Sequence, residues 1–284
     1  MSALDATTTM TPIEKFLSIV VPVRNEEDTI QECITSLMNQ DYPRDRYEII
    51  VVDGRSSDST LKLLSKFPIK VVEDDGIGVS EARNKGIEQA KGDIIAFTDG
   101  DCTATPGWIR GLSEKFDDPN VAGVGGGLRA KELGSLLARC EGLNTQATYR
   151  GFLAANIAYR RSVLNEVGGF DPNIRCGEDW DLYWRVIDRG FEVPFEGSAV
   201  VIHAPPENRS WLSYFRKEFW YARMDARLYL NRIFIIVRDA FHHEHSPRAK
   251  AKPTWHIMRQ TVIHLSIAFL LLASILSPYT LYAG

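Results

Sequence analysis

"IIAFTDGDCTATPGW", residues 94 to 108, runs an apolar strand out of a core and ends it in Asp99 and Asp101, two carboxylates separated by one glycine. Asp and Gly are turn formers, so the stretch reads either as a plain strand end or as paired oxygen ligands for a cation. The residues upstream decide what kind of strand it closes. "LSIVVPV", residues 17 to 23, is almost continuously apolar and β-branched, which marks a strand buried on both faces. "RNEEDTIQECITSLMNQ" then carries Ile30, Cys33, Ile34 and Leu37 at helical spacing, with acids in its first turn. "YEIIVVDG" is a second buried strand and "SDSTLKLLSKF" a helix opened by a serine or aspartate cap. "IKVVED" and "SEARNKGIEQA" supply a third strand and helix. Strands alternating with helices predict βαβ units: an α/β fold with a Rossmann-like, mostly parallel sheet flanked by helices.

Past Asp101 the alternation loosens. "GWIRGLSEKF" has a helical pattern, "VAGVGGGLRA" is a strand thinned by glycines, and Leu133 to Tyr149 reads as a helix. "GGFDPNIRCGEDWDLYWRVIDRG" is a loop entering a helix with Leu182, Val186 and Ile187 on one face, and "VPFEGSAVVIHAPP" returns to strand.

The 284 residues, 44% hydrophobic and 25% charged, suffice for one large domain or two small ones with a sizeable core. A net charge of −4 argues against nucleic acid as partner. Cys33, Cys102, Cys140 and Cys176 are scattered and form no CxxC pair, so neither a zinc site nor a disulfide framework is indicated and a reducing compartment fits. Residues 1–15 are polar, read as a flexible N-terminus, and carry no secretory signal pattern. Residues 262–282 are almost free of charge and match the ~20 residues that cross a bilayer core. Arg248, Lys250, Lys252 and Arg259 before them predict a catalytic domain on the cytoplasmic face. The alternative, a buried core helix, is favoured by His264 and Pro278. Residues 211–261 are aromatic and basic by turns, and Trp211, Phe215, Phe219 and Trp220 read either as membrane-surface anchors or as packing on the main domain.

In an open parallel sheet, ligands bind beyond the carboxyl ends of the strands. Asp53 ends the second strand, Glu73 to Asp75 the third, and Asp99 and Asp101 the fourth. Any one of these is explained by a turn; three in register point to a site. Paired carboxylates suit Mg²⁺ or Mn²⁺. There is no G-x-x-x-x-G-K-[ST], so phosphates fall to the metal and to side chains such as Arg83. "GVGGG", residues 123 to 127, lies too far from the first strand for a dinucleotide fingerprint and reads as backbone passing close under a ligand.

Taken together, "LSIVVPVRNEEDTIQECITSLMNQDYPRDRYEIIVVDGRSSDST", "SEARNKGIEQAKGDIIAFTDGDC" and "GGFDPN…CGEDWDLYWRV" resemble the family 2 glycosyltransferases of the GT-A fold, from about Phe16 to His203. The resemblance implies a catalytic domain over 16–210, with a nucleotide-sugar half (16–101) and an acceptor half (102–210). It implies donor contacts from Pro22, Glu26, Asp53 at the base, Asp75, Arg83 and Asn84 along the nucleotide and phosphates, and Asp99 near the ribose. It implies metal ligation by Asp101 with Asp99 and His203, His203 also being open to a purely structural role. Glu178 and Asp179 match the acceptor-site acids, with Asp179 as general base, and Trp180, Asn156 and Arg160 match the acceptor wall. The implied reaction is inverting transfer from a UDP- or GDP-sugar to a glycan or lipid-linked acceptor. The Q-x-x-R-W signature of processive relatives is absent, and "FRKEFWYARMD" stands in the comparable region, which favours transfer of a single sugar. Two other classes remain open on sequence: a catalytically silent nucleotide-sugar-binding scaffold and a metal-dependent nucleotidyltransferase.

Overall fold

A computed structural model describes residues 15–131, 153–204, 210–213, 215, 216 and 219–221. Its framework is one eight-stranded sheet in the order β3-β2-β1-β4-β7-β6-β8-β5. The strands are β1 (Leu17–Val23), β2 (Tyr47–Asp53), β3 (Lys70–Glu73), β4 (Ile94–Phe97), β5 (Cys102–Ala104), β6 (Gly123–Ala130), β7 (Ile157–Arg160) and β8 (Phe195–His203). The helices are α1 (Ile30–Met38), α2 (Thr60–Leu64), α3 (Val79–Gln89), α4 (Trp108–Glu114), α5 (Arg161–Val167) and α6 (Glu178–Ile187). Cys140, the expected helix 133–149 and the segment 262–282 lie outside the described residues, as does most of 211–261. Among the described residues no helix is long and apolar enough to cross a membrane.

Continuous apolar strands sort into two faces. Leu17, Ile19, Val21 and Val23 pack with α1 and α4, while Val20, Ile50 and Val52 pack with α3, α5 and α6. The result is a three-layer α/β/α arrangement. On the α3 side the helix lies so close to β1 that a Cβ at Gly86 would sit 2.2 Å from Val20 Cγ1, so only glycine fits. The helix cap expected before α2 is made by the aspartate, since Asp58 Oδ1 accepts from the Thr60 amide.

The four strands β3, β2, β1 and β4 are parallel, as the strand–helix alternation predicts. The mostly parallel sheet needs correction beyond them: β4 with β7, β6 with β7 and β5 with β8 are antiparallel, and β6 with β8 is parallel. The alternation that enforces parallel neighbours stops at Asp101, and the remaining strands are free to run back.

The chain moves outward from β1 to β2 and β3, then returns to β4 on the other side of β1, so the order reverses between β1 and β4. Pro22 helps to open that point. β1 pairs β2 as far as Val23↔Asp53 but pairs β4 only as far as Val20↔Phe97, closed by the Thr98 amide donating to Val20 O. Pro22 has no N–H to continue that ladder, and Thr98–Asp101 part from β1 there. Pro22 is buried within β1, where the ladder to β4 ends.

Candidate active site

The strand-end acids follow the carboxyl ends of the parallel strands, Asp53 and Glu73 at β2 and β3 and Asp99 and Asp101 past β4. Asp53 and Glu73 are directly paired across β2 and β3. Asp53 is fully buried; its Oδ2 accepts from the Ser56 amide at 3.0 Å, and its Oδ1 makes no hydrogen bond. A buried carboxylate oxygen without a donor is costly, and this one suits a ligand N–H. Asp75 stands apart from this group: it is exposed and ion-paired to the equally exposed Arg55 at 2.7 Å.

Beyond β4, Asp99 and Asp101 take different partners. Arg83, on α3 and only 4% exposed, donates through Nη2 to Asp99 Oδ1 at 2.9 Å and through Nη1 to Glu178 Oε1 at 2.6 Å. The expectation that Arg83 faces phosphates therefore gives way to a buried bridge between residues 99 and 178. The pairing β5–β8 sets Cys102 opposite His203 and brings His203 Nε2 to 3.1 Å from Asp101 Oδ2. Burial pushes the Asp101 carboxyl up, but the hydrogen bond and charge of His203 more than offset this and leave it below the usual range. Glu26 lies in the same group. Gly100 is packed against it, a Cβ there standing 3.2 Å from Glu26 Cγ. Burial, helped by the charges of Asp101 and Asp99, pushes the Glu26 carboxyl up to about 7 against the hydrogen bond from Thr29. That proximity to Asp101 was not visible in the sequence; the one small residue between the two aspartates is its only trace.

These residues fit a hard divalent cation. Adjacent ligands of an octahedral Mg²⁺ at about 2.0–2.1 Å stand about 3 Å apart, and Asp101 Oδ2 and His203 Nε2 are at that spacing. Asp99 has one oxygen committed to Arg83. Among the described residues no three His, Cys, Asp or Glu side chains are gathered to cage an ion.

Across the cleft, α6 begins at Glu178 and carries Asp179 in its first turn. Asp179 Oδ2 accepts from the Ala154 amide at 3.3 Å and Oδ1 from the Trp180 amide at 2.8 Å. Burial and the neighbouring Glu178 charge push the Asp179 carboxyl up to about 7, against the pull of Arg83 and of those two amides. Trp180 is partly buried and packs edge-on to Tyr183, with ring centroids 5.9 Å apart.

Three other expected contacts turn out to hold the scaffold. Asn84 Nδ2 donates to Phe170 O and its Oδ1 accepts from the Phe170 amide, at 2.7 and 2.8 Å, so its amide clamps the "GGF" turn instead of facing a nucleotide. Asn156 is 2% exposed and saturated: Nδ2 donates to Gly127 O and Ala199 O, and Oδ1 accepts from Trp108 Nε1. It cannot also hold an acceptor. The glycine run serves the same junction, because a Cβ at Gly126 would stand 2.3 Å from Ala199 O and 2.4 Å from the Asn156 amide; the close approach is to protein, not ligand. Arg160 donates to the carbonyls of Phe116, Asp118 and Val121 and straps the start of β6.

The order-reversing α/β sheet with acids at its strand ends, joined through Arg83 to an acid-headed helix, matches the GT-A architecture that the sequence resembles. The family model for Glycosyl transferase family 2 matches residues 18–168, and the chain belongs to that family. It is 31% identical over 209 residues to Glycosyltransferase AglE of Haloferax volcanii, covering 68% of each chain. It is also 31% identical over 233 residues to the Pre-mycofactocin glycosyltransferase of Mycobacterium tuberculosis, covering 74% of this chain and about half (47%) of that one. Its fold is similar to that of the mannosyltransferase PcManGT from Pyrobaculum calidifontis, solved in complex with GDP-Man and Mn²⁺, at a TM-score of 0.66 and 20% identity, over 94% of this chain and 77% of that one.

Proposed function

We propose that this glycosyltransferase moves one sugar from a nucleoside-diphosphate sugar to an acceptor hydroxyl or phosphate with inversion at the anomeric carbon. The observation that carries the reading is the bridge from Asp99 through Arg83 to Glu178, which joins the "DGD" and "GED" motifs into one cleft. In that cleft Asp179 takes the proton of the acceptor hydroxyl as its oxygen bonds to the anomeric carbon, and the bond to the nucleoside diphosphate breaks on the opposite face. A neutral-range carboxyl suits this task, since a base works best with a pKa near the working pH. One base and one displacement give inversion, unlike the paired carboxylates of retaining hydrolysis. Asp101 and His203 would hold Mn²⁺ or Mg²⁺, which when bound supplies positive charge against the departing diphosphate. The unpartnered Asp53 Oδ1 supports a role in accepting an N–H of the nucleobase. PcManGT, a fold neighbour, holds GDP-Man and Mn²⁺, which supports the same class of donor and ion here.

We further infer a membrane-proximal acceptor, glycan or lipid-linked, and a catalytic domain on the cytoplasmic face, from the charge-poor residues 262–282 and the cations before them. Exposed Trp211, Leu212, Phe219 and Trp220 support contact with the membrane surface. Incubation of the full chain with GDP-mannose or UDP-GlcNAc and a polyprenyl phosphate tests the reaction. The reading predicts nucleoside diphosphate release and a glycosidic product of opposite anomeric configuration by proton NMR. Retained configuration would contradict it.

A further inference from the structure

Arg83 is a buried cation, 4% exposed, and its surroundings do more than neutralise it. Its two terminal nitrogens each hold a different carboxylate, from β4's exit on one side and from the head of α6 on the other. Its guanidinium lies over the Phe170 ring at 5.4 Å, and the next residue, Asn84, clamps the backbone of that same Phe170. Two consecutive α3 residues thus hold the turn that leads into α6 and the first acid of α6 itself. A phosphate-binding arginine presents an open fork, whereas this one is 4% exposed. The fork matters, because its two terminal nitrogens hold the two carboxylates in a fixed relation that a compact, rotatable ammonium does not set.

We propose that Arg83 is a positioning residue that orients the acids at the head of α6 from the donor side, and that its charge tunes Asp179. The inference rests on reading Asp179 as the base. Asp179 accepts from the Ala154 amide, just before β7, and from the Trp180 amide, and the adjacent acid on its helix, Glu178, is the one that Arg83 Nη1 holds at 2.6 Å, while the charges of Glu178 and Arg83 act on Asp179 and its own charge acts on Tyr159 of β7. Glu178 raises its affinity for a proton and Arg83 lowers it, so loss of the arginine charge leaves the like charge unopposed.

The test is a carboxyl-carbon NMR titration of the full chain, with the Asp179 signal assigned by its loss in Asp179→Asn. Arg83→Gln is expected to move the Asp179 titration upward by about one pH unit, the lower end of the effect of a neighbouring opposite charge. Arg83→Lys keeps the charge, so its titration is expected to stay near wild type. It loses the fork, so release of GDP from GDP-mannose, or of UDP from UDP-GlcNAc, is expected to fall about tenfold or more at unchanged nucleotide affinity. An Asp179 titration unmoved in Arg83→Gln, or moved equally far in Arg83→Lys, overturns the proposal. If Arg83→Gln does not fold, Arg83→Lys decides alone: weaker nucleotide binding with intact turnover would make Arg83 a phosphate contact and overturn it. A wild-type Asp179 that titrates like an ordinary carboxylate overturns the base reading first and this inference with it, a result distinct from either variant's failure.

Discussion

Replacing Asp179 by Asn removes one ionisable oxygen at nearly constant shape. The carboxyl is held at about 7, so it is roughly one-tenth ionised at pH 6 and nine-tenths at pH 8. The wild-type kcat/KM is therefore expected to climb about tenfold over that range and level off above it. Asp179→Asn should lower turnover by about 10²–10⁴-fold, the worth of a positioned base, and abolish this limb while donor affinity holds. The stability effect has a definite sign. The folded pKa lies above the unfolded carboxylate value, so the native state holds the extra proton, and stability contributed below about pH 4 is lost as pH rises to about 7. Asp179→Asn turns one acceptor into a donor facing the Ala154 or Trp180 amide, a cost that does not vary with pH, so its stability should fall less than that of wild type between pH 4 and pH 8. Nucleoside diphosphate release from pH 5 to 9, with thermal melts at both ends, measures both effects. A variant that loses activity but keeps the limb would refute the reasoning and hand the titration to Glu26, which is held in the same range.

Other perturbations separate scaffold from chemistry. Asn156→Ala leaves Trp108 Nε1 buried without its acceptor and takes one donor each from Gly127 O and Ala199 O, so stability should fall by about 1–3 kcal/mol in denaturant unfolding, with nucleotide binding retained by the molecules still folded. Asn84→Ala frees the Phe170 backbone; a loss of about 1–3 kcal/mol is expected in the same assay, and wild-type stability with weakened nucleotide binding would restore the direct-contact role. Truncation after residue 261 should shift the chain from the membrane to the soluble fraction of a lysate, and unchanged fractionation would remove the anchor from 262–282.

The first half of the fold was legible because β1, β2 and β4 are buried on both faces and α1 carries clean 3.6-residue spacing. Ile19, Val21, Ile49 and Val51 leave little choice of state, and the alternation then dictates parallel neighbours. The acids at the strand ends were legible for the same reason, since a known strand order fixes where its ends point. The second half was not, because β7 returning beside β4 depends on pairings between residues such as Ile95 and Tyr159 that leave no local mark. Asn84, Asn156 and Arg160 show what motif reading leaves out. An amide or guanidinium that can hold a ligand can equally clamp a backbone, and partners such as Phe170, 86 positions from Asn84, are unseen in the sequence. The signal that was present lay in the glycines: Gly126 and Gly169, where a side chain would strike Asn156 and Asn84, mark the two clamps.

The central claim, a donor site that uses Asp53 together with the pair Asp101 and His203, is tested most directly by calorimetry of the full chain with GDP-mannose and UDP-GlcNAc, with and without Mn²⁺. The account predicts that one nucleotide sugar binds, that Mn²⁺ strengthens its binding, and that Asp101→Asn removes the metal's share alone. Binding of neither donor by the folded chain, or binding indifferent to both Mn²⁺ and Asp101→Asn, would contradict it.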